Sequence, residues 1–349
     1  MRSRRLRVGA VAIASAAVMV LGACSSTSAT GGDAAAPGPS AAAGDSFPVT
    51  VEHALGSTTI PEKPERIATV AWANHEVPLA LGIVPVGMAK ANFGDDDTDG
   101  MLPWVSEKLQ ELKAPTPVLF DETDGIDFEA VADTKPDVIL APYSGLTQED
   151  YTTLSAIAPV VAYPKTAWAT PWRDSIRLSS KAIGRSADGD ELISDIEKRI
   201  DDVKAKYPQL QGKSTMFMTH FDTTDLSQVG FYTTHDTRAM FFEDLGLTTP
   251  GSIARASATT DKFSLRQSTE QIDAFDDVDI VVGYGDEEVG RALAANPLLS
   301  KMRAVANGSV VMLSGSGPAG TAANPTPMSV SWVLDQYAGQ LAAAADKVK

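Results

Sequence analysis

Short, wholly apolar runs alternate along this chain with amphipathic stretches, and this alternation constrains the fold more than any other feature. The runs include VIL at 138–140 and IVV at 280–282. Such runs are typical of parallel strands buried on both faces, and their alternation with helical stretches predicts an α/β fold. The predicted strands are 67–72, 85–89, 118–120, 137–142, 160–163, 214–219, 278–283 and 310–313.

Two parts of the chain repeat one pattern. In each, a short helix that starts near an acid precedes an aspartate, a β-branched run and a tyrosine: Glu129 precedes Tyr143, and Glu270 precedes Tyr284. We therefore expect two similar Rossmann-like lobes, an N-terminal lobe over 47–170 and a C-terminal lobe over 208–349. In open α/β sheets, ligands bind outside the carboxyl ends of the strands.

The segment 171–207 differs from the rest because it has no proline after Pro171 and its apolar residues recur at roughly helical spacing. Pro171 suits a helix start and Pro208 a helix end. We predict a connecting helix that, if continuous, is about 55 Å long and long enough to join the two lobes. Two helices interrupted at Gly184-Arg185-Ser186 remain an open alternative.

The N-terminus has the pattern of an export signal over residues 1–23. Four arginines and no acid precede an apolar run at 8–20 that is short for a membrane span. Small residues precede Cys24 and resemble the lipobox of bacterial lipoproteins, which implies cleavage before Cys24 and a lipid on its thiol. An ordinary signal peptide with an unrelated cysteine is the alternative. Residues 24–46 are rich in Ala, Gly, Ser and Pro, which predicts a flexible tether.

Charge and cysteine content exclude several classes of protein. Cys24 is the single cysteine, so the chain forms no internal disulfide. The formal net charge is −16, and it becomes more negative once the arginines of 1–23 are removed. Such a chain is poorly suited to nucleic acid, or to an anionic membrane surface without its lipid.

Signs of catalysis are absent from the sequence. It contains no Gly-x-Ser-x-Gly elbow and no Walker phosphate loop. The acidic loop Asp95–Gly100 lacks a closing bidentate glutamate, so we interpret it as solvated rather than as a calcium site. We therefore expect a protein that is not an enzyme and has no cofactor. The histidines lie far apart, which argues against direct zinc or manganese binding; they are His53, His75, His220 and His235.

Four stretches, in order, resemble one family. They are Ile60–Ala68 (IPEKPERIA), Glu76–Gly87 (EVPLALGIVPVG), Lys135–Leu140 (KPDVIL) and Leu154–Val161 (LSAIAPVV). They are similar to the iron–siderophore substrate-binding proteins of ABC transporters, which are class III periplasmic binding proteins. The resemblance covers nearly all of 47–349 and implies two α/β lobes joined by a long rigid helix.

The resemblance also implies the function and the partners. It implies a lipid-anchored, monomeric protein on the extracytoplasmic face of the cell membrane that binds a ferric siderophore and delivers it to an ABC permease. The predicted ligand is a ferric hydroxamate- or catecholate-type chelate, and the strongly acidic chain favours a neutral or cationic complex over a highly anionic catecholate. A haem- or cobalamin-binding protein of the same fold is the first alternative, with His220 or Tyr232 as an axial contact for haem. A direct Zn/Mn carrier is the weaker alternative.

Aromatic and basic residues near predicted strand ends and loops are the candidates for the cleft, because a siderophore complex needs aromatic walls and a few cationic or hydrogen-bonding groups. Ordinary packing and surface ion pairs are the alternative for each of them. The predicted ligand-binding residues are Trp72, Tyr143, Trp168, Trp172, Arg173, Tyr232, Arg238 and Tyr284.

Two acids are candidates for contact with the permease. The resemblance implies one acidic residue on each lobe that pairs with permease arginines, and we assign these roles to Glu76 and Glu270. Both are predicted in the first turn of a helix, where the helix dipole favours an acid in any case.

Overall fold

Five short parallel strands form the sheet of the N-terminal lobe in the computed structural model, which describes residues 45–220 and 224–349. The strands of this lobe are β1 (Val49–His53), β2 (Gly56–Ile60), β3 (Ile67–Thr69), β4 (Gly87–Ala89), β5 (Val118–Phe120), β6 (Val138–Leu140) and β7 (Val160–Val161). The parallel sheet has the order β5-β4-β3-β6-β7, and β1 and β2 form a separate antiparallel hairpin. Every residue of β3 and β6 is buried, which explains the solid apolar runs.

Helices cover the faces of this sheet. They are α1 (Glu76–Ala80), α2 (Pro103–Glu111), α3 (Phe128–Asp133) and α4 (Gln148–Ser155). Val131 of α3 and Leu154 of α4 pack in one core cluster with Ile139 of β6. Side chains of the β1–β2 hairpin pack in another cluster with Leu140, so that β6 has apolar neighbours on both faces.

The connecting segment forms two helices, α5 (Trp172–Ala182) and α6 (Ser186–Lys206). The predicted continuous helix over 171–207 is therefore wrong, and the alternative with an interruption is correct. Gly184 lies at the break with φ +69°, a left-handed conformation that commonly ends a helix. Arg173 Nε donates to Glu197 Oε1 over 2.7 Å, although a continuous helix would hold these residues about 36 Å apart. The two helices thus pack side by side, and α6 alone, about 31 Å long, is the long helix between the lobes.

The C-terminal lobe repeats the plan of the first with a smaller parallel sheet. Its strands are β8 (Thr215–Phe217), β9 (Gln228–Tyr232), β10 (Ser264–Ser268), β11 (Ile280–Tyr284) and β12 (Val310–Leu313). The parallel sheet has the order β12-β11-β8, and an antiparallel bridge between Met218 and Phe231 links it to the β9–β10 pair. The helices are α7 (Thr237–Asp244), α8 (Gly251–Ser257), α9 (Glu287–Ala295), α10 (Arg303–Asn307), α11 (Pro318–Ala322) and α12 (Ser329–Ala345). Three short 3₁₀ helices lie at Pro208–Leu210, Thr269–Phe275 and Leu299–Lys301.

One apolar core crosses the border between the lobes. Leu79 and Trp104 of the first lobe belong to the same buried cluster as Leu334 and Tyr337 of α12. Trp104 also packs against Trp332, with ring centroids 5.1 Å apart. The lobes therefore share buried apolar surface on folding, which favours a fixed relative position.

Some predictions concern residues that the structure does not describe. The predicted signal peptide (1–23), Cys24 and all but the last two residues of the tether (24–46) lie outside the described residues. Within the described part of the chain, no helix has the length and apolar content needed to cross a membrane.

Candidate ligand-binding site

A cleft of about 680 Å³ lies between the two lobes, at the carboxyl ends of their parallel strands. Five of the eight predicted residues line it: Trp72, Tyr143, Trp168, Arg238 and Tyr284. Trp72 follows β3, Tyr143 follows β6, and Tyr284 ends β11. Because parallel strands of one sheet end at the same edge, strand order brings Trp72 and Tyr143 together. Tyr284 comes from the second sheet and lines the cleft from the opposite lobe.

Arg238 is the cation of the C-terminal wall, and it is already paired. Its Nε and one terminal nitrogen each donate to the Asp236 carboxylate over 2.8 Å. Its guanidinium carbon lies 4.0 Å from the ring centroid of Tyr232. Burial would lower the pKa of Arg238, but its hydrogen bonds and charge interaction with Asp236 hold the pKa well above its usual value. The other terminal nitrogen donates to Tyr284 Oη over 3.4 Å, so the pair presents little net charge to the cleft.

Tyr143 joins the two lobes at the floor of the cleft. Its hydroxyl accepts a hydrogen bond from Asn324 Nδ2 over 3.2 Å, and Thr237 donates to Asn324 Oδ1 over 2.7 Å. The Trp168 ring lies edge-on to Tyr143, with centroids 5.6 Å apart. Burial raises the pKa of Tyr143, so the phenol is neutral at physiological pH.

A stacked pair forms the second aromatic surface. The rings of His220 and Tyr284 are 4.4 Å apart with an interplanar angle of 16°, and Phe93 from the other lobe packs edge-on against His220 at 6.1 Å. Burial lowers the pKa of His220 and raises that of Tyr284. Both side chains are therefore neutral near pH 7, and the wall is aromatic and uncharged.

Asn74 positions the aromatic residues of the N-terminal wall, and the sequence analysis missed it. Its side-chain oxygen accepts from the Tyr143 backbone N–H over 2.9 Å, and its Nδ2 donates to the carbonyls of Val70 and Tyr143. Ala71 and Ala73, on either side of Trp72, have left-handed φ values of +61° and +60°. Such strained residues persist where the surrounding contacts hold them, as the buried Asn74 does here.

Charged groups of the N-terminal wall were also missed. Lys90, Glu122 and Asp150 line the cleft. Burial raises the pKa of Glu122 to about 7, against a hydrogen bond from the Ala71 N–H that lowers it. Glu122 is the second residue after β5, so the strand-end rule that selected Trp72 would have found it.

Three predicted ligand-binding residues lie elsewhere. Trp172 is 3% exposed and donates through Nε1 to Asp244 over 3.0 Å. Arg173 pairs with the same Asp244 at 2.9 Å and with Glu197, so these two side chains join α5, α6 and α7. Their assignment to the cleft is wrong because both side chains bind Asp244, which lies about 70 residues further along the chain and outside the cleft lining.

Tyr232 lies behind the cleft wall, and its assignment as a lining residue is also wrong. It is 6% exposed, packs edge-on against Phe217, and supports Arg238 from below. Tyr232 thus acts on the site through the cation–π contact rather than by facing the cleft.

Glu76 does not fit the predicted role in permease contact. It is 0% exposed, and its carboxylate accepts from Trp104 Nε1 and from the Met328 N–H, each over 2.7 Å. Met328 belongs to the C-terminal lobe, so Glu76 links the lobes from within. A buried, fully engaged carboxylate is not available to an arginine of another protein, and the prediction for Glu76 is wrong.

Glu270 is exposed, and Glu129 holds the equivalent position in the other lobe. Each is the second residue of a helix whose N-cap, Asp127 or Ser268, accepts a backbone N–H. Each helix leads into a central buried strand, β6 or β11. Glu129 is exposed as well. The repeat noted in the sequence therefore pairs Glu270 with Glu129. Glu76, which the sequence analysis had paired with Glu270, is not a surface acid.

Histidines do not form a metal site with other ligands in the described ranges. The one group of three candidate ligands found there is Asp95, Asp97 and Asp99, in an acidic loop. His53 bonds Thr58 and packs on Tyr151, away from the cleft.

Comparisons with known proteins agree with this architecture. The family model described as periplasmic binding protein matches residues 67–316. Among solved structures, PiaA of Streptococcus pneumoniae TIGR4 in complex with ferrichrome has a TM-score of 0.82 and 43% identity, and the match covers 86% of this chain and 100% of that one. A periplasmic solute binding protein of Mycobacterium smegmatis has a TM-score of 0.69 at 27% identity, over 85% of this chain and 98% of that one.

A relative with a similar sequence also has a name that describes a binding protein. The Bacillus subtilis protein named "Probable siderophore-binding lipoprotein YfiY" is 33% identical over 229 residues, which are 62% of this chain. The chain spans 64% of that relative's length. Together with the solved structures, these matches confirm the predicted fold class of two α/β lobes joined by a long helix.

Proposed function

The chain belongs to the periplasmic binding protein family, and from this premise we propose that it captures a ferric siderophore in the cleft between its lobes and delivers it to an ABC permease. The observation that carries the proposal is the cleft itself, with aromatic walls from both lobes and one preorganised arginine. Its volume lies within the usual range for small-molecule sites. The 43% identity to a protein solved with ferrichrome supports the same class of ligand.

The charges of the cleft favour a hydroxamate chelate. Three hydroxamate groups neutralise Fe³⁺, so the iron centre of such a complex carries no net charge. Arg238 is balanced by Asp236, and Tyr143, Tyr284 and His220 are neutral near pH 7. A highly anionic catecholate complex would need unpaired cations, whereas a neutral complex needs hydrogen-bond donors and apolar contact surface.

The role in transport is binding without chemistry. The family consists of solute-binding proteins, and the described residues of the cleft include hydrogen-bond donors and rings that suit reversible contact. We assign attachment to the extracytoplasmic face of the cell membrane to a lipid on Cys24, in a monomeric protein. The lipoprotein name of the Bacillus relative supports this assignment.

We assign permease contact to Glu129 and Glu270. Both are exposed, both lie in the first turn of a helix before a central strand, and one lies on each lobe. An exposed carboxylate at a helix start is free to pair with an arginine of a partner protein.

Titration of tryptophan fluorescence tests the ligand. Trp168 is 39% exposed in the cleft, so a bound iron chelate should quench it. We expect saturable quenching by ferric trihydroxamates and little by the same chelators without iron. Trp168→Phe should reduce the quenching amplitude, while Trp332→Phe, outside the cleft lining, serves as the matched control. Binding of haem, cobalamin or free zinc, together with indifference to every iron-loaded chelator, would contradict the proposal.

A further inference from the structure

Glu122 is a carboxylate in the cleft with few partners of its own. Its two oxygens share a single donor, the Ala71 N–H, at 2.9 and 3.2 Å. A carboxylate can accept about four hydrogen bonds. Within residues 45–220 and 224–349, no ion pair within 4.0 Å involves Glu122. Most of its accepting capacity is therefore unused by the described residues, and Glu122 lines the cleft.

Lys90 is a cation of this wall, and among the described residues it forms no ion pair with Glu122. The stem of Lys90 runs past Gly100, and a Cβ placed on that glycine would lie 3.1 Å from Lys90 Cγ. The charge of Lys90 helps the hydrogen bonds from Thr123 to lower the pKa of Asp121. The charge of Lys90 thus acts on the exposed Asp121 as well, and Glu122 is left without a paired cation among the described residues.

Acids outnumber bases among the described residues that line the cleft: Glu122, Asp150 and Asp236 against Lys90 and Arg238. Asp150 of α4 is a second acid of the same wall, held by hydrogen bonds from the backbone N–H and hydroxyl of Thr147. Across the cleft, Asp236 and Arg238 neutralise each other, and burial keeps His220 neutral near pH 7.

We propose that Glu122 is the receptor for a positively charged group of the ligand, so that the cleft selects ferric trihydroxamates that carry a free primary ammonium. The proposal rests on the proposed function and adds the charge of the ligand to it. An ammonium has three donors and a compact charge, which suit the free lone pairs of one carboxylate. A charge held in a partly buried site without a partner is costly, and the bound ammonium removes that cost.

The affinity should also depend on pH. Burial raises the pKa of Glu122 to about 7 in the free protein, so the carboxyl changes its charge in the neutral pH range. A bound ammonium favours the ionised form, and affinity for a cationic ligand therefore increases from pH 6 to pH 8. Binding of a neutral ligand does not have this linkage to Glu122.

Two matched chelates test the proposal. One is a linear ferric trihydroxamate with a terminal primary amine, and the other is the same chelate with that amine N-acetylated. Dissociation constants of the intact protein are measured for both at pH 6 and pH 8 by fluorescence or calorimetric titration. We expect the amine form to bind about tenfold more tightly at pH 8, as for a one-unit change in pKa, with a several-fold smaller preference at pH 6.

Two variants distinguish the effect of Glu122 on affinity from the effect of the overall negative charge of the chain. Glu122→Gln should bring the ratio of the two dissociation constants close to one at both pH values, apart from a small remainder from His220. Glu149→Gln removes an exposed charge beside Asp150 and should leave the ratio unchanged. Circular dichroism establishes that each variant folds, and the pH dependence of the unmodified protein tests the proposal without any variant.

The outcomes distinguish this proposal from the function on which it rests. Equal affinity of the unmodified protein for both chelates overturns the cation subsite but leaves siderophore binding intact. A preference that survives in Glu122→Gln overturns the role of Glu122. Failure of both chelates to bind overturns the proposed function, and the subsite with it.

Discussion

Replacing the buried Glu76 by alanine should destabilise the protein substantially without touching the cleft. The carboxylate accepts from Trp104 Nε1 and the Met328 N–H, each over 2.7 Å, and it is 0% exposed. Alanine leaves both donors buried without acceptors. Each costs about 1–3 kcal/mol, so we expect a loss of about 2–6 kcal/mol in the free energy of unfolding.

The pH dependence of this loss follows from the direction of the pKa shift. Burial raises the pKa of Glu76 and outweighs the hydrogen bonds that lower it. The carboxyl therefore contributes its full stability below its unfolded pKa, about 4.5, and loses part of that contribution as pH rises through the folded value. The deficit of Glu76→Ala should be larger at pH 5 than at pH 8.

Glu76→Gln separates volume and hydrogen bonding from charge. The amide keeps the shape and one acceptor and carries no charge to bury, so we expect it to recover most of the stability lost in Glu76→Ala. Thermal and urea unfolding followed by circular dichroism measure both variants, and Glu129→Ala, an exposed acid, should stay within about 0.5 kcal/mol of the unmodified protein. A Glu76→Ala variant as stable as the unmodified protein, or a glutamine variant as unstable as the alanine variant, would refute the role of this carboxylate as a link between the lobes.

Three further predictions concern other residues. Asn74→Ala removes three buried hydrogen bonds and should lower both stability, by about 2 kcal/mol or more, and affinity for the ferric chelate, as measured by unfolding and titration. Asp244→Ala should cost about 1–3 kcal/mol in the free energy of unfolding, because Trp172 and Arg173 lose their acceptor, while the dissociation constant stays unchanged; weaker binding would place α5 in the cleft after all. Glu122→Gln should be more stable than the unmodified protein above pH 7, by at most about 3.5 kcal/mol, since the buried carboxyl with its pKa raised to about 7 loses stability as pH rises and the amide does not.

The alternation of buried runs made the parallel sheets predictable from the sequence, together with the residues at their carboxyl ends. Trp72, Tyr143 and Tyr284 line the cleft for this reason. The hairpin β1–β2 and the pair β9–β10 were missed because their strands alternate or contain polar residues, as SLRQS in β10 does. Half-buried strands of this kind lack the solid apolar pattern.

The sequence could not predict the direction of a side chain whose partner lies far away in the chain. Trp172 and Arg173 begin a helix beside a loop, and only the folded chain brings Asp244 to them. Glu76 precedes an apolar helix in the sequence, but the backbone N–H that it binds lies 252 residues further along. Such long-range pairs leave no local periodicity or spacing that a sequence analysis can detect.

The contacts between the lobes also determine how the ligand can be captured. Glu76 binds Met328 and Tyr143 binds Asn324, so the segment between β12 and α12 holds the N-terminal lobe at two points, one in the buried core and one at the floor of the cleft. A wide opening of the lobes would break both contacts and expose the shared apolar core, at a cost of several kcal/mol. The side chains free to adapt are at the cleft surface, where Trp168 and Phe263 are 39% and 46% exposed. We therefore expect capture to bury these two rings against the chelate rather than to proceed by a large closure, and a preformed cleft would keep the entropic cost of binding low.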